Sequence, residues 1–362
     1  MSDGNSNYTL NASLAAQLKK YKPTLPLGFG SQIAPVMFQC LYKNGVWDSG
    51  AMVSSESLSL SPSAKIFHYG QQIFEGMKAY RHDNGAPMLF RPLENFKRFN
   101  HSAERMSMPQ IPESLFLAGL KHLVAFLQEH IPQELGESLY LRPFMIATES
   151  GLGLASSQEY LFAILASPSA SYFSKSRVSA LIEREFCRAI PGGTGAVKVA
   201  GNYGSSIYSS IQAKELGFDQ TLWLDGVNNR YVEEFSGMNF FAVIKEELWT
   251  PQLSDSILPG ITRDSILKLG SSLGVRTHEE KIDIDGLIEN IKKGDCSEIF
   301  ACGTAAIVAP VAELGEKDGT RYPLAHPDGQ LALKLREKLL QIQIGQGDRS
   351  FSDWCVPVNL SS

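Results

Sequence analysis

The sequence predicts a protein of mixed α and β (α/β or α+β) class with two domains. Its 362 residues exceed the usual size of one domain. Apolar runs of strand length alternate with amphipathic runs of helix length in both halves of the chain. A serine-rich segment without apolar periodicity, 167–176, separates the halves. We therefore predict an N-terminal α/β domain over 1–173, an interdomain linker over 174–187 and a C-terminal domain over 188–362.

The first half is predicted to contain strands around a pair of helices. Short apolar runs predict strands at 36–41, 51–60, 65–68, 138–148 and 159–166. Apolar residues that recur every three or four positions predict helices over 92–108 and 112–130. Together these elements supply enough apolar surface for a core of their own.

The second half is predicted to alternate strands and helices around a glycine-rich stretch at 191–204. The strand predictions are 178–183, 221–225, 230–235 and 298–301. The second and third of these strands flank a turn at 226–229, which predicts a hairpin. Helices are predicted over 262–273, after a Pro-Gly pair, and over 328–344.

Composition excludes several function classes. The 33 basic and 38 acidic residues give a net charge of −5, which argues against a nucleic-acid partner. The apolar run at 160–166 is too short to cross a membrane, and the N-terminus lacks the pattern of a signal peptide. The five cysteines show no CxxC spacing, so we predict reduced thiols, no metal site and a cytoplasmic location.

The segment PGGTGAVKVAGNYGSS (191–206) contains the strongest candidate for chemistry. Lys198 stands between two valines, and partial desolvation would make its neutral amine available. A neutral lysine amine can form a Schiff base with a carbonyl compound or with pyridoxal phosphate. The alternative is a surface lysine at a strand edge. The segment fails the spacing of a P-loop, and Gly151-Leu-Gly153 lacks the third glycine of a dinucleotide fingerprint.

Two Gly-Thr segments are candidate phosphate sites, because amide groups at a helix start or tight turn attract anions. One is Gly260-Ile261-Thr262, and the other is Gly303-Thr304-Ala305. The alternative is that both turns simply cap their elements. Arg98 is a candidate cationic partner, although a solvated helix face would also explain it.

Paired carboxylates, Glu233 and Glu234, end the predicted strand 230–235. Strand alternation points one of them inward, and an inward carboxylate needs a partner. A pyridinium nitrogen would serve, and so would a structural arginine.

Seven segments in order resemble the branched-chain amino acid aminotransferases, which are fold-type IV pyridoxal-phosphate enzymes. The segments cover most of the chain and are FHYGQQIFEGMKAYR (67–81), NFKRFNHSAERM (95–106), LYLRPFMIATESGLGL (139–154), GGTGAVKVAGNYGSS (192–206), VEEFSGMNFF (232–241), LPGITRDSIL (258–267) and FACGTAAIVAPV (300–311). The resemblance implies the two-domain fold-type IV architecture, which is also described as D-amino acid aminotransferase-like.

The resemblance also implies a cofactor, pyridoxal 5′-phosphate, and residues that bind it. Lys198 matches the lysine that binds the cofactor covalently and moves a proton during the reaction. Glu234 matches the carboxylate that pairs with the pyridine nitrogen, and Tyr203 matches the tyrosine that contacts the phenolic oxygen. The phosphate group is assigned to Arg98, Ile261, Thr262 and Thr304.

Further matching positions belong to the family's substrate pocket. The aromatic positions of this pocket are Phe29, Tyr69, Phe74, Tyr140, Tyr172 and Tyr203, for which ordinary core packing is the alternative. Arg142 matches an arginine that helps to bind the acidic side chain of glutamate, and Thr304 and Ala305 match the α-carboxylate site. Leu152 and Leu154 match residues that the family contributes across a dimer interface.

The implied activity is reversible transfer of the amino group from L-leucine, L-isoleucine or L-valine to 2-oxoglutarate, in a homodimer or larger homo-oligomer. Partners are therefore small amino acids and 2-oxo acids. Alternatives with similar cofactor chemistry are a D-amino acid transaminase and an aminodeoxychorismate lyase. A non-catalytic nucleotide-binding protein is the alternative from another class. Some relatives have a redox CxxC after the Gly-Thr turn, but this chain has none, and a buried apolar role is the alternative for Cys302.

Overall fold

The computed structural model describes residues 8–170, 172–173 and 175–359. Helices, numbered along the chain, are α1 (Ala12–Lys20), α2 (Lys65–Tyr69), α3 (Pro92–Arg105), α4 (Glu113–Phe126), α5 (Gly201–Gly204), α6 (Ile207–Glu215), α7 (Ile261–Ser272), α8 (Ile284–Lys293) and α9 (Gln330–Gln343). Short 3-10 helices occupy Gln128–His130 and Arg349–Trp354. No helix in these described ranges has the length and apolar character needed to cross a membrane.

Strands fall into two sheets. They are β1 (Val36–Lys43), β2 (Val46–Trp47), β3 (Ala51–Ser54), β4 (Gln72–Phe74), β5 (Met77–Arg81), β6 (Pro87–Phe90), β7 (Ser138–Ala147), β8 (Tyr160–Ser169), β9 (Val178–Glu183), β10 (Gln220–Leu224), β11 (Val232–Phe235), β12 (Met238–Ile244), β13 (Glu247–Thr250), β14 (Thr277–Glu279), β15 (Cys296–Gly303), β16 (Ile307–Gly315), β17 (Arg321–Pro323) and β18 (Cys355–Pro357).

The chain divides into two compact units. Unit 1 contains 1–171 and 342–362, and unit 2 contains 172–341. The division falls inside the serine-rich segment at 167–176. The sequence predicts a linker over 174–187, but 178–183 form β9, whose side chains are almost all buried in the sheet of unit 2. The last residues of the chain return to unit 1, because β18 pairs with β6.

The sheet of unit 1 is antiparallel, with the order β18-β6-β5-β7-β8-β1-β2. Strand β3 also pairs with β1, and β4 pairs with β7. Helices α3 and α4 bury Phe99 and Phe116, whose rings meet Phe162 of β8. The amphipathic helices are therefore where the apolar periodicity predicts them, and each ends within a few residues of its predicted limit.

Two short elements of unit 1 differ from their sequence predictions. The strand predicted over 51–60 stops at Ser54, because its partner β1 begins opposite that residue, at Val36. The run at 65–68 is helix α2 rather than a strand. This helix ends at Gly70, which adopts the left-handed conformation with φ of 61°.

The sheet of unit 2 closes on itself. Strands β11, β10, β9, β16, β15 and β12 pair in that order, and β12 pairs back with β11 to complete a ring of six strands. Pairs β9–β10 and β9–β16 are parallel. The apolar core of this unit includes Leu222, Phe235, Phe240 and Ile299, all almost fully buried. The ring holds the ends of its strands at defined neighbouring positions.

Candidate active site

Lys198 of unit 2 lies in a loop between two buried valines, Val197 and Val199, and is itself half-buried. Its Nζ donates a hydrogen bond to the hydroxyl of Tyr203 over 2.9 Å. Asn202 anchors the same loop, since its Nδ2 donates to the carbonyls of Thr194 and Val197 at 2.7 and 2.9 Å. The alternative of an exposed strand-edge lysine therefore does not describe this residue.

The pair Glu233-Glu234 lies in β11, and both carboxylates are buried. Glu233 accepts a hydrogen bond from the hydroxyl of Ser256. Burial raises the pKa of Glu233 to about 7, although nearby Arg188 acts in the opposite direction. The sequence predicts one inward carboxylate, but the closed ring and the segment around Ser256 cover both.

Hydrogen bonds connect Glu234 to the start of helix α7. Glu234 is opposite Asn239 in the β11–β12 ladder. Asn239 Nδ2 donates to Glu234 Oε2 at 3.2 Å and to the carbonyl of Leu258 at 2.9 Å, while the Leu258 amide donates to the same Oε2 at 3.3 Å. Gly260, two residues further on, must lack a side chain, because a Cβ there would overlap Asn239 Oδ1.

The two predicted phosphate segments occupy the expected local structures. Ile261 and Thr262 open α7, and the amide groups of a first helical turn can bind an anion. Thr304 and Ala305 form the turn between β15 and β16, which is the hairpin that follows Gly303.

Strand pairing and close contacts bring these segments toward Tyr203. Cys302 is opposite Asn239 in the β12–β15 ladder. A Cβ on Gly303 would touch Met238 and the carbonyl of Gly237, and one on Gly237 would touch the ring of Tyr203. One connected part of unit 2 therefore contains all five features: Lys198, Tyr203, Glu234, the start of α7 and the Gly-Thr turn.

This set of side chains fits a pyridoxal phosphate molecule. It offers an amine for the aldehyde, a phenol beside that amine, a buried carboxylate for a basic ring nitrogen, and oriented amides for a phosphate. Among the residues described, no group of histidine, cysteine and acidic side chains could hold a metal ion.

Predicted pocket residues of unit 1 form a second group. Phe29 meets Tyr140 edge to face with ring centroids 4.8 Å apart, and we call Phe29, Phe74 and Tyr140 the aromatic wall. Arg142 lies against this wall: its guanidinium is 4.8 Å from the centroid of Phe74 and donates to the Tyr140 hydroxyl at 2.9 Å. The wall thus combines apolar faces with one cation.

Arg98 is buried within unit 1 and is not on a solvated helix face. Its Nε and Nη2 donate to the two carboxylate oxygens of Glu75 at 2.7 and 2.8 Å. Asn95 Nδ2 and the Gly76 amide also donate to Glu75, at 2.7 and 3.0 Å. This arrangement orients the guanidinium.

Four predicted pocket residues are largely exposed. Tyr69 of unit 1 donates its hydroxyl to the carbonyl of Leu152, and Leu152 and Leu154 both present apolar side chains to solvent. Tyr172 of unit 2 packs edge to face on Phe173. For these residues the roles implied by the resemblance stay predictions.

Comparison with known proteins identifies the family. The family model described as amino-transferase class IV matches residues 72–314, well over half of the chain. The chain belongs to the class IV aminotransferases. This membership confirms the resemblance found in the sequence.

Relatives of this class IV aminotransferase include two bacterial enzymes. The chain is 44% identical to branched-chain-amino-acid transaminase 1 of Bacillus subtilis over 336 residues, which is 92% of this chain and 94% of the relative. It is 42% identical to a branched-chain-amino-acid aminotransferase of Mycolicibacterium smegmatis over 343 residues, 92% of each chain. These relatives favour the branched-chain group over the D-amino acid transaminase and lyase alternatives.

Solved structures confirm the fold-type IV prediction for this class IV aminotransferase. The branched-chain aminotransferase of the archaeon Thermoproteus uzoniensis with norvaline matches with a TM-score of 0.73 and 26% identity, over 90% of this chain and 100% of that one. The branched-chain amino acid aminotransferase of Escherichia coli matches with a TM-score of 0.72 and 26% identity, over 88% of this chain and 99% of that one.

Sequence reasoning missed three polar residues around the site of this class IV aminotransferase. Arg188 lies beside Glu234, Asn239 connects Glu234 to Leu258, and Glu75 holds Arg98. Each acts through a contact with another segment of the chain. Only Arg188 has a signal in the sequence. An inward-facing Glu234 needs a partner, and a structural arginine is one of the two partners considered above.

Proposed function

We propose that this chain catalyses reversible amino transfer from L-leucine, L-isoleucine or L-valine to 2-oxoglutarate, giving the 2-oxo acid and L-glutamate. The observation that carries the proposal is the hydrogen bond between Lys198 and Tyr203, in a chain 44% identical to a branched-chain-amino-acid transaminase. The two half-reactions share one site, so the kinetics are ping-pong.

The residues of unit 2 have distinct roles in this mechanism. Family membership bears out pyridoxal phosphate as the cofactor, which when bound withdraws electrons from the substrate Cα. The Lys198 amine would move the proton between the substrate Cα and the C4′ carbon of the cofactor, in opposite directions in the two half-reactions. Tyr203 keeps the amine in position through its hydroxyl. Glu234 holds a proton on the ring nitrogen by its negative charge.

Phosphate binding is assigned to the start of α7 and to the Gly-Thr turn. The amides of Ile261 and Thr262 and the hydroxyl of Thr304 would donate to the phosphate oxygens, and the positive end of the helix dipole would add to the attraction. Within unit 1, Glu75 orients the guanidinium of Arg98, and the phosphate role of this arginine stays a prediction from the resemblance.

For substrate selection we assign the aromatic wall to the apolar side chain. Full burial of a leucine, isoleucine or valine side chain contributes about 1.5–3 kcal/mol. A single methylene changes binding by only about 1–3 kcal/mol, so the three substrates are poorly separated. Arg142 and the Tyr140 hydroxyl are assigned to the γ-carboxylate of glutamate, and Thr304 and Ala305 to the α-carboxylate.

The cellular setting is proposed to be a cytoplasmic homodimer or larger homo-oligomer. All five cysteines are free thiols, which is typical of a reducing compartment. The exposed Leu152 and Leu154 side chains are proposed as interface residues, since large apolar side chains at a surface favour burial by another chain.

The visible spectrum tests the proposed function. Purified protein reconstituted with pyridoxal phosphate is expected to absorb in the visible region and to change on addition of L-leucine. Hydride trapping followed by mass spectrometry is expected to find the cofactor on Lys198. A colourless protein, or activity on D-alanine without activity on L-leucine, would overturn the proposal.

Replacement of Lys198 separates catalysis from simple binding. Lys198→Ala is expected to lose the covalent link and nearly all turnover, while Lys214→Ala, at the exposed end of α6, is expected to behave as the parent protein does. Normal turnover in Lys198→Ala would favour the non-catalytic alternative.

A further inference from the structure

A buried arginine outside the predicted site pairs with Glu234. Arg188 follows β9 in the chain, and its Nε lies 3.0 Å from Glu234 Oε1. The two side chains are only 6% and 4% exposed. Charges removed from water to this degree interact strongly, because solvent screens them little.

The guanidinium of Arg188 is anchored from a second direction. Its Nη2 donates to the carbonyl of Ser256 and lies 3.4 Å from the carbonyl of Gly195. Gly195 packs so tightly on Ser256 that a Cβ would overlap its backbone. Arg188 thus connects the loop that carries Lys198, the segment that leads into α7, and the carboxylate of Glu234.

The other oxygen of Glu234 is held independently. Oε2 accepts from Asn239 Nδ2 and from the Leu258 amide, at 3.2 and 3.3 Å. With a cation at one oxygen and two N–H donors at the other, the carboxylate has a defined orientation, and its ionised form is stabilised.

We propose that Arg188 is a positioning residue that keeps Glu234 ionised and oriented, so that the shared proton resides on the ring nitrogen of the cofactor. The inference rests on the proposed function. Arg188 is adjacent to the carboxylate, so its positive charge stabilises the ionised carboxylate and would favour a protonated ring nitrogen over the neutral pair. Glu233 is the other acidic group near this cation, and it is held by Ser256.

Pyridoxal 5′-phosphate labelled with ¹⁵N at the ring nitrogen provides the test. In the parent protein reconstituted with this probe, the nitrogen resonance is expected to be that of a protonated ring across neutral pH. In Arg188→Gln we expect it to shift toward the unprotonated position, and kcat to fall about 10- to 100-fold, the range typical of residues that orient a bound group. KM is expected to change much less.

Matched variants make the test specific to charge. Arg188→Lys keeps the cation and is expected to restore most of the protonated signal. Arg276→Gln removes a surface arginine that pairs with Glu247, and it is expected to leave the signal unchanged. If Arg188→Gln does not fold, Arg188→Met takes its place, because it also removes the charge while keeping a long side chain, and the same shift of the resonance is expected.

Each result separates this inference from the proposed function. A parent protein that fails to bind the labelled cofactor overturns the proposed function. A parent protein that binds it, together with an Arg188→Gln variant whose nitrogen stays protonated, overturns only the inference. An Arg188→Lys variant that folds and titrates as the parent does, while the Gln variant shifts, supports it.

Discussion

At the scale of single residues, buried charges are held by partners from distant parts of the chain. Glu75 is completely buried, and it accepts hydrogen bonds from Arg98, Asn95 and the amide of Gly76. Glu234 is surrounded in the same way in unit 2. Removing one charged partner leaves the other charge buried and unpaired. The resulting loss of folding free energy is larger than the stability that the intact pair contributes.

Glu75→Gln is expected to lower the free energy of unfolding by about 3–5 kcal/mol, because Arg98 then keeps a buried charge without its counterion. Urea denaturation measures this change. In the double variant Glu75→Gln/Arg98→Met the loss should be smaller than in the single variant, since no unpaired charge remains. Equal or greater loss in the double variant would show that the charge pair is not responsible.

Glu233→Gln is expected to change the pH dependence of stability. The folded state raises the pKa of Glu233 to about 7, mainly through burial, so it binds this proton more tightly than the unfolded chain does. The parent protein therefore loses this stabilisation as the pH rises from about 4.5 through about 7. The variant lacks the titration, so its stability relative to the parent should increase over that interval in urea unfolding. If the free energies of unfolding of parent and variant changed with pH in parallel, Glu233 would not be the group that titrates in this interval.

At the scale of elements, the long periodic segments are the ones that sequence reasoning predicts well. Helices α3, α4 and α7 and strand β9 lie within a few residues of their predicted bounds, because each carries its own apolar pattern. The predicted hairpin is also confirmed, since β10 pairs antiparallel with β11.

Short elements depend instead on contacts that no local pattern contains. Helix α2 has only five residues, and the buried Lys65 at its start pairs with Glu149, more than eighty positions away. The end of β3 depends on where β1 begins. The same reason explains the site: Lys198 and Tyr203 stand in one segment that resembles the family, whereas Arg188 lies outside all the matching segments and meets Glu234 only through the fold.

The start of helix α7 gives a prediction at this scale. In Gly260→Ala the new methyl group would overlap Asn239 Oδ1, so either Asn239 or the helix start must shift. We expect an increase of about tenfold or more in the dissociation constant for pyridoxal phosphate and a destabilisation of about 1–3 kcal/mol. Fluorescence titration of the cofactor-free protein measures the affinity.

Gly286→Ala is the matched control for that variant. Gly286 lies in the first turn of α8, where a methyl group would make ordinary contact with Asp283. Its replacement is expected to leave cofactor affinity unchanged and to preserve or slightly increase stability. A similar loss of affinity in both variants would mean that the overlap with Asn239 has no special effect.

At the scale of the whole molecule, buried thiols in both units make it possible to detect whether either unit opens. Cys40 and Cys355 are buried in unit 1, Cys296 and Cys302 are buried in unit 2, and Cys187 is exposed. Burial raises the pKa of Cys296 and of Cys355 to about 12 and raises those of Cys40 and Cys302 further. A protonated, inaccessible thiol reacts slowly with an electrophile.

We therefore expect one fast-reacting thiol in the native protein and five after denaturation. Titration with an aromatic disulfide reagent at neutral pH counts them, and mass spectrometry should locate the fast one at Cys187. Cys187→Ser should abolish the fast phase. Rapid modification of two or more thiols in the native protein would show that one of the units opens on the timescale of the assay.

The ring of six strands in unit 2 also affects how readily the cofactor-free protein would aggregate. Each of the six strands in the ring pairs with a strand on both sides, so the edges of this sheet are confined to the short strands outside the ring, β14 and β17. In the cofactor-free protein the six ring strands are thereby protected from the edge-to-edge pairing that leads to aggregation.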